Sequence, residues 1–196
     1  ICLMALSLQT RAADYYWVNG SGNWSDYGGH WATTSGGSIF HATIPTLNDD
    51  VFFDASSFTA DSQLVYLDST FAYCHNMDWS GVLFNTRFMA ANWPNAAINV
   101  YGSLTLHPNM ITFYCDINLL GTATNLFLNP AAVSLSGEVI LNGSGDYSLA
   151  SDLNCWGLNI NSGVFNSNDF TLNVGSITAS TTTNAAVNLG SSTINC

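Results

Sequence analysis

Apolar and polar residues alternate in short runs along most of the chain after Leu64. Ile98 and Val100 precede Leu104 and Leu106, and a similar alternation recurs over residues 133–141. A period of two predicts β-strands with one buried face. Because Gly, Asn and Ser separate the runs, the pattern predicts many brief strands joined by tight corners.

The cysteines give the same region a regular period. Cys74, Cys115, Cys155 and Cys196 follow one another at almost equal intervals. A second, weaker repeat aligns INVYGSLTL (98–106) with VSLSGEVIL (133–141), each around a central glycine. The cysteine period of about 40 residues is typical of repeat architectures and corresponds to two coils of a parallel β-helix.

We therefore predict an all-β protein built as a right-handed parallel β-helix, with coils of about 20 residues. Asparagine suits its corners because this side chain adopts the left-handed backbone conformation at low cost. A β-sandwich in which the cysteine period is accidental remains the alternative.

The fold decides what the four cysteines can do. Two coils would separate them by about 9 to 10 Å, which exceeds the reach of a disulfide. We expect unpaired, inward-facing structural cysteines stacked in register, with a disulfide as the alternative if a single coil takes the whole cysteine period.

Residues 13–63 form a different region, rich in Trp and Gly. Trp17, Trp24 and Trp31 recur every seven residues, but the many intervening glycines argue against a helix. We predict an N-terminal cap of short strands and loops that closes the end of the helix, followed by β-helix repeats over residues 64–196 that are truncated at the C-terminus. The alternative is that these tryptophans, with Tyr27, form an exposed carbohydrate-binding platform.

We predict that the first twelve residues are the end of a secretory signal peptide. The apolar run ICLMALSL precedes small residues at Thr10 and Ala12, which is typical of the end of a secretory signal peptide. A buried N-terminal strand is the alternative. This run is too short to span a bilayer, and no later apolar run reaches about 18 residues, so we predict a secreted or cell-surface protein without a membrane span in this sequence.

The composition narrows the possible partners. The chain has 13 acidic and 2 basic residues and a net charge of −11, which argues against nucleic-acid binding. Charged residues make up only 8% of the chain, so its solubility depends on Asn, Ser, Thr and Gly. The hydrophobic content of 47% indicates a folded domain rather than a disordered one.

The densest acidic cluster lies in NDDVFFD. Asp49, Asp50 and Asp54 could supply the carboxylate oxygens that Ca²⁺ prefers. The alternative is turn formation, because Asp side chains bind their own backbone at turns. Calcium is the one cofactor that the sequence suggests.

No convincing catalytic set is visible. Cys74 and His75 are adjacent, so on a strand they would point to opposite faces. A glycosidase of the inverting type needs only two suitably spaced carboxylates, and three corner-like aspartates could contribute to such a pair: Asp116, Asp152 and Asp169.

Three phrases carry a resemblance to a known family: WVNGSGNWSDYGGHW, IPTLNDDVFFDASSF and CHNMDWSG. With the later repeats, they resemble large secreted, repeat-rich surface proteins of gram-negative bacteria that use the type IX secretion route. The resemblance implies a cap leading into right-handed parallel β-helix coils and an adhesin-like role, and it supplies no catalytic residues.

We therefore expect a non-enzymatic, adhesin-like or structural stalk segment of a larger secreted surface protein. Its expected partner is an extracellular polysaccharide or another host or cell-surface ligand. A carbohydrate-binding or polysaccharide-degrading β-helix is the alternative.

Overall fold

The computed structural model describes residues 12–91, 96–181 and 184–196, and they form an almost entirely β structure. The signal-peptide prediction falls mainly on residues 1–11, outside the described residues. No helix within the described ranges has the length and apolar character needed to cross a membrane. In chain order the elements are β1 (Asp14–Trp17), β2 (Gly22–Asn23), α1 (Tyr27–His30), β3 (Trp31–Ala32), β4 (Asp50–Phe52), β5 (Leu64–Leu67), β6 (Phe71–Cys74), β7 (Met77–Asp78), β8 (Thr86–Ala90), β9 (Ala97–Val100), β10 (Leu104–Thr105), β11 (Met110–Tyr114), β12 (Asp116–Leu119), β13 (Leu126–Asn129), β14 (Ser134–Leu141), β15 (Asp146–Leu149), β16 (Leu153–Ile160), β17 (Val164–Asn166), β18 (Leu172–Val174), β19 (Ile177–Ala179), β20 (Ala186–Asn188) and β21 (Ile194–Asn195).

The strands stack into three parallel faces. Face 1 contains β1, β4, β7, β10, β13, β15, β17 and β20 in that order. Face 2 runs through β2, β5, β8, β11, the first halves of β14 and β16, then β18 and β21, and face 3 through β6, β9, β12, the second halves of β14 and β16, and β19. Each strand pairs in parallel with the equivalent strand of the next coil, which confirms the predicted parallel β-helix and excludes the sandwich.

The coils vary in length. On face 1 the register partners are Val51, Met77, Leu104, Leu128 and Leu149. The step along the chain is longest from Met77 to Leu104 and shortens with each later pair in this series. The next step, from Tyr147 to Phe165, is shorter still. The predicted coil of about 20 residues therefore suits the later coils, but no single period describes them all.

This variation overturns the predicted register stack of cysteines. Cys74 lies beside Val100 in the next coil, and Val100 in turn lies beside Leu119, four residues after Cys115. Cys155 instead lies on face 2, beside Leu135. Because the coils between successive cysteines differ in length, an even spacing in sequence does not become a column in space.

The weaker repeat is misleading for a related reason. Gly102 lies at the corner between faces 3 and 1, whereas Gly137 lies at the corner between faces 2 and 3. Every corner lies between two strands of alternating apolar and polar residues, so the sequences around different corners look alike. An alignment can therefore match two corners that are not equivalent in the structure.

Inward-facing apolar side chains fill the space between the three faces. On face 2 they form a continuous buried ladder through Val65, Phe88, Phe113, Leu135 and Cys155. The rings of Phe88 and Phe113 stack with their centroids 4.8 Å apart. Burial alternates along the strands because successive side chains point to opposite sides of the sheet.

The N-terminal region closes one end of this stack. Strand β3 pairs antiparallel with β1 and covers its otherwise free edge, which removes a site for unwanted strand pairing. Trp17, Trp24 and Trp31 fill the interior of the first coil, with Trp31 in edge contact with both others at 4.9 and 4.8 Å. Parallel stacking already joins Asp14 to Asp50, so residue 63 lies within the second coil, between β4 and β5.

Candidate functional site

The predicted tryptophan platform does not exist as an exposed surface. Trp17, Trp24 and Trp31 are all fully buried. The indole nitrogen of Trp17 donates to the carbonyl of Gly20, and that of Trp31 donates to the carbonyl of Trp24. A sugar ring cannot reach them, so the platform prediction is wrong for the three tryptophans. Of the four residues predicted for the platform, only Tyr27 is exposed.

The acidic cluster serves local structure. Asp49 is buried, and its carboxylate accepts hydrogen bonds from the backbone nitrogens of Ala13 and Thr46 and from the Thr46 hydroxyl. Asp54 accepts one from the nitrogen of Ser56 at 2.8 Å. The contacts with Thr46 and Ser56 are those of the turn-forming alternative, whereas the contact with Ala13 joins Asp49 to a residue far away in the sequence. Within the three described ranges, no group of three or more His, Cys, Asp or Glu side chains is arranged to hold a metal ion.

Three other aspartates join successive coils. Their Oδ1 atoms accept hydrogen bonds from backbone nitrogens one coil further on, at 2.9, 2.8 and 2.7 Å, for Asp116 with Glu138, Asp152 with Thr171 and Asp169 with Ser191. Donation from Ser191 holds the pKa of Asp169 below its ordinary value. Each side chain suggested for catalysis therefore has a structural role.

The four cysteines within the described ranges are unpaired. Cys74, Cys115 and Cys155 are buried, and Cys196 is exposed. Burial raises the pKa of the Cys155 thiol to about 12 and raises the pKa values of Cys74 and Cys115 as well. Because the thiolate is the nucleophile, these three side chains are suited to packing rather than to reaction.

The structure shows a site that the sequence did not indicate. An open groove of about 270 Å³ lies on the outer surface of face 1. We call it the face-1 groove; it is lined by Asp50, Phe52, Asn76, Asp78, Ser103, Thr105 and Phe127.

Strand register creates this groove. Strands β4, β7, β10 and β13 are consecutive in face 1, and residues two apart on one strand point the same way. The middle strands β7 and β10, with the residue before each, line the groove only with Asn76, Asp78, Ser103 and Thr105, which are smaller than a phenylalanine. The larger rings of Phe52 on β4 and Phe127 on β13 bound the depression at its two ends.

The two aromatic rings differ in their support. Phe127 is 43% exposed, whereas Phe52 is half-buried and stacks on Tyr16 of the preceding coil at 5.0 Å. Partial burial raises the pKa of Tyr16, and Asp14 and Asp54 raise it further. Face 1 therefore carries both aromatic and acidic side chains on its outer surface.

The groove also presents polar atoms that the fold leaves available. Oδ1 of Asp50 accepts hydrogen bonds from the backbone and side-chain nitrogens of Asn76 and lies 2.9 Å from Nδ1 of His75. Oδ1 of Asp78 accepts one from the nitrogen of Ser80. In the described part of the chain, Oδ2 of Asp50 and Oδ2 of Asp78 make no hydrogen bond, so each carboxylate retains a free acceptor.

Hydroxyl groups complete the floor. Oγ of Ser103 accepts a hydrogen bond from the nitrogen of Phe127 at 3.1 Å, which leaves its proton free to donate.

The sequence indicates only part of this groove. Asp50 is already a candidate in the sequence, although as a calcium ligand. The outward pairs at 50 and 52, 76 and 78, and 103 and 105 become visible only when the register of the strands is known.

Two other depressions are larger, at about 420 Å³ each. One of them lies beside Asp49 and Tyr15, but both carboxylate oxygens of Asp49 already accept hydrogen bonds within the fold. The other has fewer groups that could fix a ligand. It occupies about 420 Å³ on face 2 and is lined by Ser21, Gly22, Asn23, Leu64 and Tyr66. It contains no charged side chain and a single aromatic ring. The face-1 groove is therefore the better candidate.

The sequence matches no protein-family model, and neither a curated protein nor a solved structure matches the chain.

Proposed function

We propose that this chain is a non-enzymatic, adhesin-like structural segment of a larger secreted surface protein. The observation that carries the proposal is the continuous stack of parallel coils, in which both apolar and polar side chains connect each coil to the next. Such a quasi-one-dimensional stack suits a stalk because each coil is held by its neighbours.

Outward polar ladders reinforce the stack. On face 2, the side chain of Asn173 donates to Asn154 at 2.5 Å, and Asn195 donates to Asn173 at 2.6 Å. On face 1, Asn188 donates to Asn166 at 2.7 Å. These contacts lie along the stacking direction and help to explain the abundance of asparagine in a chain with few charges.

The acidic surface supports an extracellular role. Arg87 is the one Lys or Arg side chain within the described ranges, against twelve Asp and one Glu. Such a surface favours solubility. With the signal-peptide-like segment at residues 1–12, it is the basis for placing the protein outside the cell.

Two measurements test this function. Antibodies against residues 13–196 should label intact cells of the source organism, and external protease should remove that label. Incubation of the purified chain with a panel of polysaccharides, with and without calcium, should release no new chain ends. Label that appears only after lysis would contradict the extracellular role, and new chain ends would contradict the non-enzymatic one.

Carbohydrate binding is a second candidate function. The specific observation that favours it is the presence of Phe52, Phe127, Asp50 and Asp78 around one groove on one face. Ligand sites commonly combine apolar or aromatic walls with a few polar groups that fix orientation.

A further inference from the structure

We propose that the face-1 groove binds a single uncharged polysaccharide strand, laid across the coils between Phe52 and Phe127. The inference rests on the carbohydrate-binding role proposed above and adds to it the ligand class, the residues and the direction of the bound strand.

The dimensions of the groove fit such a strand. Neighbouring strands in a sheet are about 4.8 Å apart, so the three steps from β4 to β13 span about 14 Å. One such step is close to the length of one pyranose unit. A linear polysaccharide running across the strands can therefore place successive sugar rings over successive coils.

The aromatic rings supply the apolar contacts. Sugar rings have C–H faces that pack on aromatic side chains, and Phe127 offers an exposed ring at one end of the groove. Phe52 offers a second ring, which stacks at 5.0 Å on Tyr16 of the neighbouring strand, on the side away from the groove. Between them the floor is polar, so a ligand with apolar faces and hydroxyl edges matches both parts.

The polar atoms select an uncharged ligand. Oδ2 of Asp50 and Oδ2 of Asp78 can accept hydrogen bonds from sugar hydroxyls, and Ser103 can donate one in return. Hydrogen bonds to carboxylates are stronger than those between neutral groups. The same carboxylates, in a chain with a net charge of −11, repel polyuronates and sulfated polysaccharides.

A peptide strand fits this surface poorly. Peptides that add to a sheet need a free strand edge, but β7 pairs with both β4 and β10, and β10 pairs with both β7 and β13. Backbone donors and acceptors beneath the groove are therefore already used. A ligand can therefore contact only side chains, and this suits a hydroxyl-rich polymer better than a peptide backbone.

The small groove predicts weak binding at each site. Its volume of about 270 Å³ lies just below the range of typical ligand pockets. We expect a dissociation constant of about 1 mM for one site, with firm attachment arising when many copies bind one polymer.

Native affinity electrophoresis tests the proposal on the purified chain. The gels contain hydroxyethylcellulose, galactomannan or dextran as uncharged polymers, and alginate or polygalacturonate as acidic ones. At least one uncharged polymer should retard the chain, and both acidic polymers should leave its mobility unchanged.

Two variants locate the site. Phe127→Ala should weaken retardation about ten-fold, whereas Phe127→Tyr keeps the ring and should retain it. Asp78→Asn can still accept the hydrogen bond from Ser80 but replaces the free acceptor by a donor, so it should also weaken binding without disturbing the turn.

Matched controls lie outside the groove. Phe71 on face 3 is 50% exposed, similar to Phe127, so Phe71→Ala should bind like the wild type. Asp61 is exposed and does not line the groove, and like Asp78 it accepts a hydrogen bond from a backbone nitrogen, that of Asn85, so Asp61→Asn should also have no effect. Circular dichroism checks that each variant is folded.

Retardation by none of the uncharged polymers overturns the proposal, as does retardation by acidic polymers alone. If both Phe127→Ala and Asp78→Asn are retarded as strongly as the wild type, the ligand does not bind in the face-1 groove. Retardation by acidic polymers alone would overturn the ligand class while leaving the carbohydrate-binding role in place, whereas retardation by no polymer would overturn both. The extracellular, non-enzymatic role is judged separately, by labelling of intact cells and by the absence of new chain ends.

Discussion

Replacing Gly143 by alanine tests how closely successive coils approach each other. A Cβ atom built on Gly143 would lie 2.1 Å from the carbonyl oxygen of Gly121 and 2.4 Å from the carbonyl carbon of Leu120. Both atoms belong to the backbone of the preceding coil. No side chain can rotate away to relieve the contact, so the two coils must separate at this corner.

The size of the effect follows from this geometry. Ordinary contacts of a Cβ atom begin near 3.4 Å, so the backbones must move apart by more than 1 Å. The nitrogens of Asn142 and Gly143 both donate to the carbonyl of Leu119, at 2.9 and 3.0 Å, and this movement weakens both hydrogen bonds. Overpacking costs about 1–3 kcal/mol, and each weakened hydrogen bond adds up to about 1 kcal/mol.

We expect Gly143→Ala to lower the free energy of unfolding by about 2–4 kcal/mol. For a chain of this size, that corresponds to a decrease in Tm of at least about 4 °C. Thermal unfolding followed by circular dichroism in the β-sheet band measures it. Gly28→Ala is the matched control, because a Cβ atom there meets nothing within 4 Å. A Tm for Gly143→Ala within about 2 °C of the wild type would refute the reasoning.

Three further predictions concern thiols, alkaline pH and corner carboxylates. In a thiol-labelling assay of the native chain, Cys196→Ser should remove a fast-reacting thiol and Cys74→Ser should remove none, because Cys196 is exposed and Cys74 is buried; fast labelling of Cys74 would contradict this. Burial raises the pKa of Tyr147 and of Cys155 to about 12, from 10.0 and 9.0, so the folded state binds these protons more tightly and the free energy of unfolding should fall as pH rises above about 9. Urea unfolding at several pH values checks the sign, and constant stability up to pH 11 would contradict it. Asp116→Ala should lower the free energy of unfolding by about 1 kcal/mol because the nitrogen of Glu138 loses its acceptor, whereas Asp116→Asn keeps an acceptor and should lower it less; equal Tm values for the two variants would exclude this role.

The strands and their arrangement in coils could be predicted because both depend on local patterns. In residues 133–141 the alternation of apolar and polar side chains marks which side of the sheet each residue faces, and the structure buries Val133, Leu135, Val139 and Leu141 accordingly. Register could not be predicted in the same way. It depends on how many residues each corner takes, and corners rich in Gly, Asn and Ser tolerate many lengths.

The site could not be predicted for the same reason. Phe52 and Phe127 are far apart in the sequence, and they bound one groove only because β4 and β13 are three steps apart in face 1. The tryptophans are conspicuous in the sequence through their number and spacing. Their large apolar rings instead fill the first coil, as a role in the cap requires, because the interior of this coil needs apolar volume that the surrounding glycines and serines cannot supply.

The pairing of corner carboxylates explains how a chain without lysine can fold with thirteen acidic residues. Asp116, Asp152 and Asp169 each receive a hydrogen bond from a backbone nitrogen of the next coil, so their partners come from the fold itself rather than from basic side chains. Asp50 does the same with Asn76, but it uses one oxygen for this contact and leaves the other in the face-1 groove. One carboxylate can therefore join two coils and also contact a ligand, so a binding surface can form on the stalk without removing a contact that stabilises the stack.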